Sequence, residues 1–308
     1  MDYSVLLDKM LIFLALMVIG YALARTGKLD RSAVKAVSSL TLNIFLTASI
    51  LNSTLSVDVD MDWGELGRAF LLVWVVMILG YLIAWLVTLP MPVDREHKPL
   101  FELLMSMGNT MFVGLPIVDA LFPGGRAVFY LSLSCLPFNV LLFTYGVWRL
   151  QSGRENARLR PRDIFSIPTL AAILALILFL LHPPLPGALR GLIATVAGGT
   201  TPLSMLVIGA SLGSVSLLDA FRNRQLYLAS AVRLLLIPLV TWLVCGLMTQ
   251  DPVLRSTMMI VAACPGAVMV TVMANQYDRD AVYTAEGTLQ STALSLVTIP
   301  FLVWLLAK

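Results

Sequence analysis

Apolar residues in this chain come in long runs, and polar residues fall mostly between the runs. A helix crossing a hydrocarbon layer needs about 20 mostly apolar residues. Ten stretches meet that need: 4–24, 33–54, 65–89, 98–121, 126–148, 163–181, 188–213, 225–248, 253–276 and 281–306. They lack the strict alternation of barrel strands, and an open sheet cannot satisfy its backbone in lipid. The pattern predicts an all-α integral membrane protein with ten transmembrane helices. Ala22, Leu23 and Ala24 offer a small-x-small cleavage site, but Asp8 and Lys9 precede the first run where a signal peptide would carry a basic leader. That run is read as a span.

A polar, Arg-rich stretch splits the spans five and five. The predicted organisation is a first five-helix repeat over 1–150, a cytoplasmic linker over 151–162, and a second repeat over 163–308. An odd number of spans per half makes the second copy enter upside down, as in inverted-repeat transporters. Arg126-Ala127-Val128-Phe129 and Asp280-Ala281-Val282-Tyr283 open spans five and ten with a short match. Just ahead of them, span four carries Gly108, Gly114 and Pro116, and span nine carries Pro265 and Gly266. Proline removes a backbone donor and clashes with the turn behind it, while glycine adds slack. Helices 4 and 9 are therefore predicted to be broken at corresponding places. Broken backbone at membrane depth must face protein or a wet cavity, and paired breaks point to a substrate site. Pro137, Pro238 and Pro300 stand alone and read as tolerated kinks.

Composition narrows the classes. Of 308 residues, 58% are hydrophobic and 13% charged, against about 25% charged in ordinary soluble domains. That excludes a soluble enzyme, a disordered regulator and a nucleic-acid binder. The net charge of +3 is a topology signal. Arg25, Lys28, Arg31, Lys35, Arg95, Arg149, Arg222, Arg224 and Arg279 all follow odd-numbered spans, whereas the loop after span two is acidic, with Asp58, Asp60 and Asp62. The cytoplasmic side keeps Lys and Arg, so both termini are expected outside. Cys135, Cys245 and Cys264 lie within spans with no C-x-x-C spacing, and His97 and His182 share no helical face. No metal site and no cofactor is expected.

The start of the second half of a broken helix presents free N–H groups and about half a positive charge, a setting for a carboxylate. Asn109 and Thr110 add side-chain donors, Gly114 and Gly266 permit close backbone approach, and Pro116, Pro265 and Ala267 bound the breaks. Asn43 and Thr47 in span two face the site from across the pocket, or else bond between helices. Ionisable groups inside spans are functional candidates. Arg233 and Glu286 lie about 13 Å and about 9 Å into spans eight and ten and are expected to pair, for stability or with Glu286 taking up a proton. Glu102 and Asp119, near opposite ends of span four, are expected at the interfaces. A competing class is an intramembrane serine hydrolase, since Gly209-Ala210-Ser211-Leu212-Gly213 matches G-x-S-x-G. Ser211 lies in a span, however, and no histidine follows His182; close helix packing by small residues is the stronger reading. A non-transporting sensor would leave the paired breaks without a purpose.

Gly108-Asn109-Thr110 with Gly114-Leu115-Pro116 resembles the fourth helix of the auxin efflux carrier family, which includes plant PIN-formed auxin exporters and bacterial organic-acid carriers. Cys264-Pro265, Ala274-x-x-Tyr277 and Leu296-Val297-Thr298-Ile299-Pro300 are similar to its ninth and tenth helices, and Thr201-Pro202-Leu203-Ser204 with Gly209–Gly213 to its seventh. The resemblance covers the whole chain. It implies ten helices in inverted repeats with helices 4 and 9 crossing, a scaffold of helices 1, 2, 6 and 7, and a mobile unit of helices 3–5 and 8–10. It further implies a homodimer in the cytoplasmic or plasma membrane, moving small organic anions by an elevator-like shift; whether a proton, sodium or no ion is coupled is left open by the sequence. The sequence departs from plant members at Val270, where they carry a second proline, and it lacks their long central loop.

Overall fold

The computed structural model describes residues 3–56, 63–152, 167–181, 185–213 and 217–306. The linker beyond its first two positions, the acidic residues Asp58, Asp60 and Asp62, and His182 lie outside them. The described residues are helical, with one isolated pair of bridged residues. In chain order the helices are α1 (Tyr3–Arg25), α2 (Arg31–Leu40), α3 (Leu46–Ser56), α4 (Trp63–Thr88), α5 (Lys98–Ser106), α6 (Leu115–Leu121), α7 (Arg126–Ser132), α8 (Cys135–Leu141) and α9 (Val147–Gln151). They continue as α10 (Ile167–Leu181), α11 (Gly187–Ala197), α12 (Thr200–Leu212), α13 (Leu217–Arg222), α14 (Arg224–Ala231), α15 (Ile237–Met248), α16 (Pro252–Ala263), α17 (Val268–Gln276) and α18 (Ala281–Leu306). Single π turns at Thr41–Phe45, Thr110–Gly114, Leu142–Gly146 and Val232–Leu236 join α2 to α3, lead into α6, and join α8 to α9 and α14 to α15.

Among the described residues, six continuous helices are long and apolar enough to cross a membrane: Ser32–Asn52, Gly64–Thr88, Arg126–Gln151, Gly187–Leu212, Arg224–Met248 and Ala281–Leu305. The segments Leu11–Arg25, Thr110–Leu121 and Pro252–Ala263 are apolar but shorter. Much of the apolar surface points outward, as at Leu247, 88% exposed, and Val297, 72% exposed. Such a surface suits lipid, where a hydrophobic exterior carries no penalty.

The chain forms two compact units, each drawn from both halves of the sequence. The first comprises Met1–Gly67, Met111–Leu136 and Phe165–Ser214. Its main contact is α1 against α12, made close by glycine: a side chain on Gly20 would strike the Leu206 backbone, and one on Gly209 the Met17 backbone. The G-x-S-x-G stretch is thus a helix-packing surface, and Ser211 donates to the Val207 carbonyl of its own helix at 2.8 Å. Thr200 Oγ1 ties the start of α12 to the Phe45 carbonyl at 2.8 Å.

The second unit comprises Arg68–Thr110, Pro137–Ile164 and Val215–Lys308. Leu100, Phe101, Leu103, Leu104 and Met105 of α5 lie at its centre. Buried polar groups bind its helices together. Ser230 donates to Gln290 Oε1 at 3.1 Å, and the Gln290 amide donates to the Ala220 carbonyl at 3.1 Å. Asp251 starts α16 by accepting the Val253 and Leu254 N–H groups, in the manner of an N-cap. Asp280 does the same for α18, accepting from Val282 and Tyr283.

Candidate functional site

Within the second unit two helices stop, and the gaps that follow them meet. α5 ends at Ser106, after which Met107 is extended at φ −100°, ψ 117°. α16 ends at Ala263, after which Cys264 is extended at φ −61°, ψ 142°. The two stretches run antiparallel with Gly108 opposite Gly266. The Asn109 N–H donates to the Pro265 carbonyl at 2.8 Å, and the Ala267 N–H to the Met107 carbonyl at 2.9 Å. Each gap therefore satisfies backbone groups that the other would strand in an apolar surround. Proline suits position 265 because only its carbonyl is asked for.

The N–H groups just after the helix 9 gap are engaged: Gly266 donates to Ser291 Oγ at 3.0 Å and Ala267 to Met107. Donor capacity at the crossing resides in side chains. Asn109 and Thr110 are 5% and 3% exposed, and the Asn109 amide nitrogen is buried with no hydrogen-bond partner. An unmet buried donor costs about 1–3 kcal/mol. The gap in helix 4 lies at 107–109, upstream of Gly114 and Pro116. Pro116 sits at the start of α6, directly after the π turn Thr110–Gly114, downstream of the gap. Gly114 and Pro116 belong to the first unit, as do Asn43 and Thr47. Asn43 donates along its own helix to Ser39 Oγ at 3.1 Å, and the Thr47 hydroxyl is buried without a partner. Val270, fully buried in α17, follows the helix 9 gap and plays no part in making it.

Arg233 lies beside the crossing, 4% exposed. Its pairing with Glu286 is not formed. The guanidinium instead bonds backbone carbonyls at the ends of α5 and α16: Nε to Cys264 at 2.7 Å, Nη1 to Ser106 at 3.2 Å and Met105 at 3.4 Å, Nη2 to Val261 at 3.2 Å. Helix ends leave their last four carbonyls without partners, and those ends attract the buried cation more closely than the carboxylate on α18 does. Glu286 is half-buried.

A family model described as membrane transport protein matches residues 5–161 and 156–303, nearly the whole chain. The chain belongs to this family. Its type is that of the auxin efflux carriers. The protein is also 26% identical to an uncharacterized transporter of Methanothermobacter thermautotrophicus, over 95% of this chain and 96% of that one. An uncharacterized transporter of Methanocaldococcus jannaschii is 24% identical over 97% and 98%. Membership, with the apolar helices, makes the protein a multi-pass membrane protein of a transporter family.

In this member of the family a second polar cluster lies on α5. Glu102 is fully buried inside the unit. Its carboxylate accepts from the Tyr145 hydroxyl and, at 2.5 Å, from Arg149 Nη2. Tyr145 packs edge-on against Tyr81, whose buried hydroxyl has no partner. Sequence reasoning treated Arg149 as a loop charge, and the separation of 47 residues left no local signal of the pair. Asp119 is exposed. At the start of α18, His97 stacks on Tyr283 and bonds Asp280 at 3.1 Å. Burial pushes the Asp280 carboxyl up, but the Tyr283 N–H, the His97 ring and the Val282 N–H outweigh it and hold it below the ordinary carboxylate range.

Proposed function

We propose that the protein is a secondary active transporter of small organic anions, carboxylates such as malonate, malate or auxin-like acids, working by elevator-type alternating access. In this reading ten helices form two inverted five-helix repeats. Helices 1, 2, 6 and 7 are the scaffold, and helices 3–5 and 8–10 carry the substrate. The transporter is a homodimer in the cytoplasmic or plasma membrane, and the panel below, with and without sodium and at two pH values, decides between proton coupling, sodium coupling and uniport. The observation that carries the substrate class is the Asn109 amide nitrogen, a buried donor without an acceptor beside two helix gaps. A carboxylate oxygen supplies that acceptor.

The test begins with purified protein and a panel of mono- and dicarboxylates, with and without sodium, at two pH values. A ligand that binds only the folded state raises the unfolding midpoint. The stabilising acid is then followed into proteoliposomes. Asn109→Ala should lower its uptake at least tenfold while the protein keeps its unfolding midpoint without substrate. Undiminished uptake by Asn109→Ala overturns the assignment, and a panel with no stabilising acid overturns the substrate class.

A further inference from the structure

We propose that Arg233 is the positioning residue of the crossing, a guanidinium clamp holding the cut ends of both broken helices. α5 and α16 each terminate at the crossing, and each C-terminal end carries about half a negative charge. Two such ends brought together repel unless a cation lies between them. Arg233 donates to Met105 and Ser106 at the end of α5, and to Val261 and Cys264 at the end of α16. Serving four carbonyls on two elements calls for the five donors of a planar fork; an ammonium offers three from one point.

The seat of the clamp is built into the backbone. A Cβ on Gly108 would occupy the place of Arg233 Nη2, so glycine at the bridge position is what lets the guanidinium come close to the gap. The adjoining cavity, lined by Gly80, Ser106, Gly108, Thr110 and Arg233 among others, measures ≈ 10 Å³, room for about one water. Arg233 stands in the π turn Val232–Leu236, and such turns recur at functional sites because they re-aim a side chain. With the negative helix ends neutralised from one side, the Asn109 amide and the bridge keep one geometry toward a bound anion. Arg233 acts through the gaps it holds and does not itself touch substrate.

The inference rests on the crossing being the transport site, but its test needs no substrate, so the two readings fail separately. Hydrogen exchange is measured on the full-length protein in nanodiscs for wild type, Arg233→Gln, Arg233→Lys and Gly108→Ala. The Asn109 and Ala267 amides, bonded across the bridge, should exchange at least tenfold faster in Arg233→Gln, with α1 and α12 of the first unit unchanged. Arg233→Lys should stay close to Arg233→Gln. Gly108→Ala keeps the charge but displaces it and should behave alike, which keeps the test decisive if Arg233→Gln does not fold. A general loss of stability would speed exchange in both units equally and overturn the clamp. Wild-type exchange at the bridge in Gly108→Ala or in Arg233→Lys would overturn it too.

Discussion

Glu102 and Arg149 show what a single buried ion pair does in this unit. The carboxylate is fully buried and its partner mostly so, at 17% exposure. Removing one member of such a pair leaves the other charge uncompensated, which costs about 3–5 kcal/mol, whereas replacing both by apolar groups is often neutral. Glu102→Ala should therefore destabilise the protein by about 3 kcal/mol, and Glu102→Leu with Arg149→Met should recover most of that loss. Chemical unfolding in detergent micelles measures both; equal losses in the single and double variants would show that the pair is not coupled. At this scale the sequence was legible where a residue's type carried its role. Asn109 and Thr110 stood out as polar groups in an apolar run, and both are buried at the crossing. Arg233 stood out for the same reason, but its partners are backbone carbonyls, and a carbonyl has no side-chain letter to read.

Among the elements, the four π turns of the described residues share a pattern. Each carries a polar side chain among apolar neighbours in the turn: Asn43, Thr110, Tyr145 and Arg233. A π turn inserts one residue and so shifts the face that follows, which a search for helical periodicity reads as noise. The helix gaps were legible in kind, because Gly and Pro clustered at both. Their positions were less so, since Pro116 belongs to the restarting helix and the helix 4 gap contains no proline. Gly20 and Gly209 illustrate the opposite case, where a small residue matters through its neighbour. Overpacking a close contact costs about 1–3 kcal/mol. Gly209→Val should lower stability by at least that much, because the clash is with the Met17 backbone and no rotamer relieves it. A thermal midpoint equal to wild type would show that α1 and α12 separate without cost.

For the whole molecule, the scarcity of charge and the length of the apolar runs required a membrane protein, and their lack of strand alternation made it helical, since lipid leaves backbone groups only helices or closed barrels. The asymmetry of Lys and Arg leads to an expected topology with both termini outside. Reporter fusions at each end should read as external, and a cytoplasmic signal from either would reverse the assignment. Family membership was carried by ordered short motifs along the chain. What the linear order did not display is how the chain is shared out: each compact unit takes segments from both halves, and the boundaries cut span four after Thr110 and span five after Leu136. Composition and local pattern are additive along a chain, so they determined the medium, the helices and the kinds of residue at the gaps. The partners of those residues depend on segments far apart in sequence arriving at one place. Only the tertiary structure decided that Gly108 meets Gly266, that Arg233 serves two helix ends, and that Asn109 keeps a donor in reserve.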